Sequence, residues 1–530
     1  MQNAASDTGK IARSAGTVGI AVMCSRVLGL VREQVFAALF GAGFAYDAFV
    51  VAFRIPNLLR DLFGEGALSA AFVTVFSDYD ENRGEVATWQ LANNVFCVIA
   101  ILLSLISLGG IYFSENLVRL LAPDYGLIAG KVALTTKLTA IMFPFLIFVS
   151  LSAVIMGILN AKGRFFVPSM ASSFFNLGSI AGGVALALTL PRFGQPAIVG
   201  MAIGTLLGGI LQLGWQLPSL FRVGFRLQLL FRLRDPGLLR IFRLMIPAIV
   251  GLSATQLNIF INTFFASSCV QGSVSWLNYA FRLVQFPIGV FGVAVSIATL
   301  PVISRYAAVK NIQAIRETYA SAMLMGFCLT LPASVGLIVL AEPIIRLIFQ
   351  HGAFSAFATA KTAEALLFYS IGLFAYSAVK IMVPVFYALD NTRYPVIASF
   401  LAVITNVVII LLSLHSLQHR AIALATSCSM IGSFSFLSVV LYRKLEGYSI
   451  SHLGRGTLKI GLACAVMGIY LVWLKKTVLP AGGSFGLLHL GLWLLFCIGS
   501  SAVLYGVTLH FLGLDEFTDV SRKIRERLRG

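Results

Sequence analysis

Residues 395–414 read PVIASFLAVITNVVIILLSL, twenty residues without a charged side chain. The hydrocarbon core of a bilayer is about 30 Å thick, so roughly twenty apolar residues in an α-helix cross it once. Similar stretches recur along the 530-residue chain, in which 58% of the residues are hydrophobic and 11% are charged. A soluble protein carries roughly 25% charged residues. This composition therefore excludes a soluble enzyme and predicts a polytopic membrane protein.

The same length criterion finds fourteen candidate spans. Backbone polar groups in lipid must be hydrogen-bonded within the segment, and the runs are too long for barrel strands, so we expect helices throughout. The fold class predicted is an all-α polytopic membrane protein with about 14 transmembrane helices. The spans lie near 14–40, 46–76, 88–113, 132–159, 168–190, 196–220, 241–267, 273–303, 318–341, 361–387, 395–414, 420–442, 457–475 and 487–511.

Positive charge is in excess and unevenly distributed. The chain has 39 Lys and Arg against 21 Asp and Glu, a formal net charge of +18. With the N-terminus placed in the cytoplasm, the inside segments carry 24 Lys and Arg and the outside segments nine. Because cytoplasmic loops are enriched in these residues, both termini are predicted to be cytoplasmic. Six cations remain within the spans: Arg26, Arg32, Arg54, Arg60, Arg282 and Lys380.

Short motifs recur at a nearly constant offset. Ala52-Phe53-Arg54 returns as Ala280-Phe281-Arg282, and the outside loop around Arg119 returns around Arg346. Several matches that share nearly one spacing indicate an internal duplication. An even number of spans per copy makes the two copies parallel, related by a pseudo-twofold axis along the membrane normal.

The duplication predicts four parts. Two six-helix lobes are joined by a basic, amphipathic cytoplasmic linker, and the last two spans have no counterpart in the repeat. The predicted boundaries are 1–220 for the N-lobe, 221–243 for the linker, 244–445 for the C-lobe, and 446–530 for two extra helices with a basic cytoplasmic tail.

The charges inside the spans are the functional candidates. A charged side chain at mid-bilayer costs about 2.5–3.5 kcal/mol on insertion scales. Arg26 and Glu33 share a helix face, and a second stripe runs through Asp47, Arg54, Asp61 and Glu65. Buried ion pairs such as Arg60 with Asp61 are the alternative explanation. Arg282 has no acid within its own span, so surplus arginine predicts an anionic substrate, for which a phosphate-bearing group is a suitable partner.

Other classes find less support. No Walker A, HExxH or GxSxG motif stands in a suitable context, and the seven cysteines are scattered singly. We therefore expect no cofactor, no nucleic acid and no enzymatic activity. The two-lobe symmetry favours a transporter over a channel.

At these residues the chain resembles the MurJ/MviN family of bacterial lipid II flippases, in the multidrug/oligosaccharidyl-lipid/polysaccharide exporter superfamily. The resemblance covers essentially the whole chain. Its matching stretches are 25–33, 41–49, 53–67, 273–287 and 292–294.

The resemblance implies that the chain moves lipid II, an undecaprenyl-diphosphate-linked disaccharide-pentapeptide, from the cytoplasmic to the outer leaflet of the bacterial inner membrane by alternating access. It also implies a cationic central cavity for the headgroup and a groove at spans 13 and 14 for the lipid tail. The implied partners are lipid II, membrane lipids and a coupling cation, and we expect a monomer. The candidate headgroup residues are Arg26, Arg32, Glu33, Asp47, Arg54, Arg60, Glu65 and Arg282.

Two departures from the family pattern concern charge and sodium. Many relatives carry an acid just before the arginine of span eight, where this chain has Phe281. Sodium sites of some members use the loop after span ten, which makes Asp390, Asn391 and Asn406 the candidate ligands here. In many relatives that loop has its acid directly before the threonine, whereas Asn391 precedes Thr392 in this chain.

Two alternative functions remain open from the sequence. The first is an ion-coupled drug or metabolite antiporter of the same superfamily, for which we would expect twelve spans and few cations in the cavity. The second is a membrane glycosyltransferase or a scaffold for cell-wall assembly, for which interfacial acids arranged around a sugar donor would be expected.

Overall fold

The computed structural model describes residues 2–64, 66–478, 486–514 and 516–518, and within these ranges it is helical without strands. The prediction of an all-α membrane protein is thereby confirmed. Contacts divide the chain into two compact units, residues 1–274 and 275–530. Each unit is described by itself below.

The first unit contains ten α-helices and two short 3₁₀ helices, at Pro123–Leu127 and Leu190–Phe193. The α-helices are α1 Gln2–Phe40, α2 Phe44–Phe63, α3 Ala67–Asn82, α4 Glu85–Tyr112, α5 Ser114–Leu121, α6 Lys131–Met142, α7 Phe145–Ala161, α8 Phe166–Thr189, α9 Ala197–Arg222 and α10 Pro236–Ser267.

Within its described residues, the second unit contains ten further α-helices, of which the first begins just before the boundary between the units, and a π-helical turn at Ile288–Gly292. The α-helices are α11 Ser273–Pro287, α12 Val293–Ala308, α13 Ile312–Val339, α14 Ala341–Phe349, α15 Ala356–Ile371, α16 Leu373–Ala388, α17 Arg393–Leu417, α18 His419–Lys444, α19 Ile450–Val478 and α20 Leu487–Phe511.

Each of the fourteen predicted spans coincides with a helix or a pair of consecutive helices. By length and hydropathy, eleven helical segments of the described chain can cross a membrane, and twelve can if α15 and α16, bent by 44°, form one span. The predicted count of fourteen is not confirmed by this criterion. The difference lies in α1, α2 and α3, since α1 and α2 carry the charged side chains of the first two predicted spans.

Several helices begin at a side-chain cap. Asp235 accepts a hydrogen bond from the Leu238 N–H at 2.9 Å, and Asn311 accepts one from the Ala314 N–H at 3.0 Å. Ser355 does the same for the Ala358 N–H at 3.1 Å. These caps satisfy N–H groups that the first turn of a helix leaves without a backbone partner.

The helix breaks repeat between the units. The second span breaks between α2 and α3 at Gly64, and the eighth changes to π-helix up to Gly292, the position that corresponds to Gly64 in the sequence repeat. A Cβ on Gly64 would lie 3.1 Å from Ser150 Oγ, and one on Gly292 would lie 2.9 Å from Ser377 Cβ. Ser150 and Ser377 are separated by nearly the same spacing as the two glycines. The same close approach of helix backbone to serine therefore occurs in both units, as the sequence repeat predicts.

A second structural repeat lies in the two loops that the sequence predicts to be outside, one in each unit. The motif around Arg119 forms α5 and the one around Arg346 forms α14, two short helices that each follow a long span. Both carry an acid in the first turn and an arginine in the last turn, which suits the helix dipole.

The division into units differs in position from the predicted lobes. Helix α10, which contains the predicted seventh span, packs with the first unit: Leu238, Ile241 and Met245 belong to the buried core formed with α3, α4 and α7. The linker predicted at 221–243 contains the end of α9, an irregular segment at 223–235, and the first turns of α10. The lobe boundaries themselves stay a prediction.

Candidate substrate-binding site

Arg32, which is half-buried, and Glu33, which is buried, form a polar pair near the C-terminal end of α1. Arg32 Nη2 donates to Glu33 Oε1 at 2.9 Å, and the Tyr46 hydroxyl of α2 donates to Glu33 Oε2 at 2.7 Å. Glu33 is only 3% exposed. The Arg32 guanidinium also lies 5.3 Å from the Phe175 ring centroid, a cation–π distance. The sequence predicted Arg32 and Glu33 as site residues but did not identify Tyr46 as a partner of Glu33.

The Arg32 guanidinium is only partly satisfied by these contacts. Its Nε is buried and has no hydrogen-bond partner in the part of the chain that the structure describes. Buried polar groups in native proteins are nearly always hydrogen-bonded. An arginine with a buried, unused N–H is therefore a candidate donor to an anionic ligand.

Asp47 lies in a closed ion pair. Both Asp47 and Lys131 are 1% exposed, and Lys131 Nζ lies 3.1 Å from Asp47 Oδ2. The same oxygen accepts a hydrogen bond from the Gly272 N–H at 2.8 Å. The Lys131 ammonium lies 4.1 Å from the Tyr125 ring centroid. From the sequence, Lys131 belongs to a predicted outside loop. No motif linked it to Asp47, which lies in the second predicted span.

Tyr125 completes the apolar surroundings of this ion pair. Its hydroxyl is buried with no hydrogen-bond partner among the described residues. Burial, with the nearby Asp47 carboxylate, raises the pKa of Tyr125 well above its ordinary value. The Tyr125 side chain therefore stays neutral, and the Lys131 ammonium lies over the face of its ring.

Arg60 pairs with its neighbour Asp61, the structural alternative raised for it from the sequence. Arg60 Nη2 and Nε lie 2.7 Å and 3.1 Å from Asp61 Oδ1. Gln256 of α10 donates to the other carboxylate oxygen at 3.1 Å. All three side chains belong to the first unit, so this cluster ties α2 to α10.

The other predicted residues are dispersed. Arg26 is exposed on α1, Arg54 is half-buried on α2, and Arg282 is exposed on α11 of the second unit. Glu65 lies outside the described residues. The structure thus brings Arg32 next to Glu33 within the first unit, whereas Asp47 pairs with a residue that the sequence did not single out.

The candidate sodium ligands occupy different environments. Asp390 is exposed in a turn with a positive φ of 53°, and Asn406 is buried in α17. Asn391 Oδ1 is buried and has no hydrogen-bond partner within the described ranges. Across those ranges no cluster of three His, Cys, Asp or Glu side chains has the geometry to hold a metal.

Cys269 provides a chemical probe of the loop next to Asp47. It lies between α10 and α11, three residues before Gly272, and burial raises the pKa of its thiol to about 12. Because the thiolate is the reactive form, we expect a variant that retains only Cys269 to react with maleimide at pH 8 at least about tenfold more slowly than free cysteine. The rate should rise with pH, because the thiolate fraction rises.

A change at Asp47 should accelerate this labelling. Asp47→Asn weakens the hydrogen bond from the Gly272 N–H, which holds the loop. Glu115→Gln is the matched control, because Glu115 is an exposed acid that pairs with Arg119. If Cys269 were labelled as fast as free cysteine in the variant that retains Asp47, the loop between α10 and α11 could not be closed around the thiol.

Comparison with known proteins gives consistent matches over nearly the whole chain. A family model described as "Lipid II flippase MurJ" matches residues 36–492. A protein of Vibrio cholerae described as "Probable lipid II flippase MurJ" is 35% identical over 95% of this chain and 97% of its own length.

Solved structures extend these matches to the fold. A structure described as "Lipid II flippase MurJ, inward closed conformation" is 26% identical, with a TM-score of 0.76, over 93% of this chain and 97% of that one. A multidrug resistance MATE family transporter in an inward-facing conformation has a TM-score of 0.66 at 16% identity, over 80% of this chain and 95% of that one. The second likeness is one of fold alone.

Proposed function

The chain belongs to the lipid II flippase MurJ family, and from this premise we propose that it carries lipid II from the cytoplasmic to the outer leaflet by alternating access. It is a multi-span membrane transporter and not an enzyme.

The assignment of the headgroup site rests mainly on Arg32. Its buried Nε without a partner in the described chain supports a role as donor to a diphosphate oxygen. Glu33 and Tyr46 fix the orientation of the guanidinium from behind, since Glu33 accepts from both side chains. A guanidinium held in this way presents its remaining N–H groups in a fixed plane, which suits a phosphate group.

Arg26, Arg54 and Arg282 are proposed as further contacts to the diphosphate. Arg26 and Arg282 are exposed on α1 and α11, in predicted membrane spans where an exposed cation is expensive unless it faces a polar cavity. Alternating access would bring such side chains to a cavity that opens to one side of the membrane at a time.

Asp47 and Arg60 are proposed to stabilise the protein rather than to bind substrate. Asp47 is neutralised by Lys131, and Arg60 is neutralised by Asp61. Arg60 donates both its Nε and its Nη2 to Asp61, whereas Arg32 keeps its Nε unused within the described chain, so Arg60 has fewer donors to offer an anionic headgroup. A role for Glu65 rests on the family resemblance alone.

The drug or metabolite antiporter is less well supported than the flippase. The likeness to MATE transporters is at 16% identity, whereas the family model and the curated relative both carry the lipid II flippase description. For a coupling cation, we propose Asn391 and Asn406 as the first side chains to test, with Asp390 as the nearby acid.

The orientation follows from charge. We propose that both termini are cytoplasmic, because 24 Lys and Arg lie in the segments placed inside and nine in those placed outside. The chain is proposed to act as a monomer in the bacterial inner membrane.

Complementation tests the transport function and its residues together. In a strain depleted of its own lipid II flippase, this chain should restore the appearance of lipid II in the outer leaflet, detected by a probe that reaches only that leaflet. Arg26→Ala and Arg282→Ala should reduce the signal at equal membrane levels. Arg119→Ala is the control, because Arg119 is exposed and pairs with Glu115 on its own helix. Normal lipid II exposure in the Arg26 and Arg282 variants would contradict the proposed site.

A further inference from the structure

The segment that joins α9 to α10 is the most basic exposed stretch of the first unit. Residues 222–243, here called the linker segment, contain six arginines and one acid, Asp235. All six arginines are exposed. We propose that the linker segment is a preshaped binding surface for anionic phospholipid headgroups, a role distinct from lipid II transport.

Helix α4 holds the irregular part of the linker segment by its backbone. Asn93 accepts a hydrogen bond from the Gln228 N–H at 2.7 Å and donates to the Arg226 carbonyl at 3.0 Å. Asn94 accepts from the Arg232 N–H at 2.7 Å and donates to the carbonyl of the same residue at 2.9 Å. Two neighbouring asparagines thus occupy the backbone groups of the segment as an adjacent strand would.

An aromatic anchor fixes the start of the segment. Gly224 turns the chain with a φ of 97°, a conformation that favours glycine. Phe225, which follows it, is 3% exposed and lies against Trp89 and Phe96 of α4, with ring centroids 6.0 Å and 6.2 Å away. The side chains beyond Phe225 are therefore presented from a fixed backbone.

Apolar and cationic side chains are both exposed along this backbone. Leu227, Leu229, Phe231 and Leu233 alternate along it and are exposed by 57%, 90%, 54% and 55%. The intervening positions hold Gln228, Leu230 and Arg232, and Arg226 and Arg234 flank the run at its two ends. These four exposed apolar side chains, here called the apolar edge, are therefore interleaved with and flanked by three exposed arginines, Arg226, Arg232 and Arg234, here called the cationic edge.

The arginines of this cationic edge are available to a ligand. Within the described ranges, Arg226, Arg232 and Arg234 make no ion pair. The nearby acids already have partners: Asp235 caps α10, and Asp78 pairs with Arg240. The Arg240 hydrogen bond lowers the pKa of Asp78, so this acid stays ionised and bound at neutral pH. An open recess of about 560 Å³ lies along residues 231–236 and includes two of the arginines.

The position of the linker segment favours a lipid headgroup as the ligand that it binds. The irregular part of the linker segment is bounded by the end of α9 and the start of α10, both of which are long and apolar enough to cross the membrane. It is therefore tied to the membrane surface at both ends. Exposed leucines and a phenylalanine suit the boundary with the acyl chains, and arginines suit the phosphates of anionic lipids. An acidic protein would satisfy the arginines but not the apolar edge.

Lipid titration tests the proposal on the full chain. The purified protein in detergent is titrated with radiolabelled phosphatidylglycerol and phosphatidylcholine, and the bound lipid is counted. The wild type should prefer phosphatidylglycerol. Each arginine near an anionic surface contributes about 1 kcal/mol, so Arg226→Gln/Arg232→Gln/Arg234→Gln should weaken phosphatidylglycerol binding on the order of 100-fold. Its binding of phosphatidylcholine should not change.

A charge-matched control separates a site from net charge. Arg443→Gln/Lys444→Gln/Arg455→Gln removes three exposed cations elsewhere and should bind phosphatidylglycerol as the wild type does. An equal loss in this control would overturn the proposal, as would wild-type binding by the linker triple variant. Tighter retention of polyglutamate than of phosphatidylglycerol by the wild type, lost in the linker variant, would also overturn it in favour of an acidic protein.

The asparagine clamp is tested at constant charge. Asn93→Ala/Asn94→Ala leaves every arginine in place but releases the backbone of the segment. Because a preformed surface loses less conformational entropy on binding, this variant should bind phosphatidylglycerol more weakly than the wild type. Unchanged binding would show that the surface is not preshaped. The linker triple variant should still transport lipid II, because the headgroup arginines remain intact. Loss of phosphatidylglycerol binding with normal transport therefore separates this proposal from the function above.

Discussion

Replacing Lys131 with methionine is expected to lower the free energy of unfolding by about 3–5 kcal/mol, because it leaves the buried Asp47 carboxylate without its cation. The pair is 3.1 Å apart, and both residues are 1% exposed. Methionine keeps most of the length and the apolar character of the lysine stem, so packing against Tyr125 is largely retained. Unfolding of the purified protein in detergent, followed by circular dichroism, measures the loss.

A double variant shows whether the loss comes from the unpaired charge. Lys131→Met/Asp47→Asn removes both charges and keeps an amide oxygen for the Gly272 N–H, so it should recover most of the stability. Lys162→Met is the comparison at a more exposed position, since the Lys162–Asp80 pair is 24% and 27% exposed. That substitution should change stability by less than about 1 kcal/mol. Equal losses in Lys131→Met and Lys162→Met would contradict the special role of burial.

The fold class could be predicted from the sequence because membrane crossing imposes one strong rule. A span must be long, apolar and internally hydrogen-bonded, and each of the fourteen predicted spans indeed coincides with one or two helices. The span count was less secure because α1 and α2 combine apolar residues with charge. Composition alone cannot decide whether such a helix crosses the membrane or lines a polar region.

The sequence alone could not predict which charged side chains pair with each other, and the reason is geometric. A helical stripe shows which side chains share a face, but not what packs against that face. Asp47 and Asp61 share the predicted stripe on α2, yet they contact different partners, Lys131 of α6 and Gln256 of α10. Only neighbours in sequence, such as Arg60 with Asp61, could be paired in advance.

The internal repeat carried more structural information than any single motif. Gly64 and Gly292 match in sequence, and each lies against a serine at the equivalent position of its own unit. A larger side chain at either position would collide with that serine, so both copies of the repeat require glycine there. Arg54 and Arg282, matched by the same repeat, differ in exposure, since Arg54 is half-buried and Arg282 is exposed. The repeat therefore predicts the close packing at the two glycines but not the exposure of the two matched arginines.

Alanine at Arg26, Arg32 and Arg282 together is expected to abolish measurable binding of lipid II to the purified protein. Hydrogen bonds to charged groups contribute about 1.5–3 kcal/mol each. The loss of two such contacts alone weakens binding by roughly 10² to 10⁴-fold. Retention of radiolabelled lipid II at increasing concentration measures the effect, with Arg119→Ala/Arg192→Ala/Lys476→Ala as a control that removes three exposed cations elsewhere.

The single variant Arg32→Lys then separates charge from geometry. Lysine keeps the positive charge but lacks the planar donor set, including the Nε that is buried without a partner in the described chain. If Arg32 binds a phosphate oxygen through that fork, Arg32→Lys should lose most of the affinity that Arg32→Ala loses. Wild-type affinity in Arg32→Lys would reduce the role of Arg32 to its charge, and wild-type affinity in the triple alanine variant would contradict a cationic headgroup site altogether. Because Glu33 stays bonded to Tyr46 in each case, these outcomes test the arginine and not the carboxylate behind it.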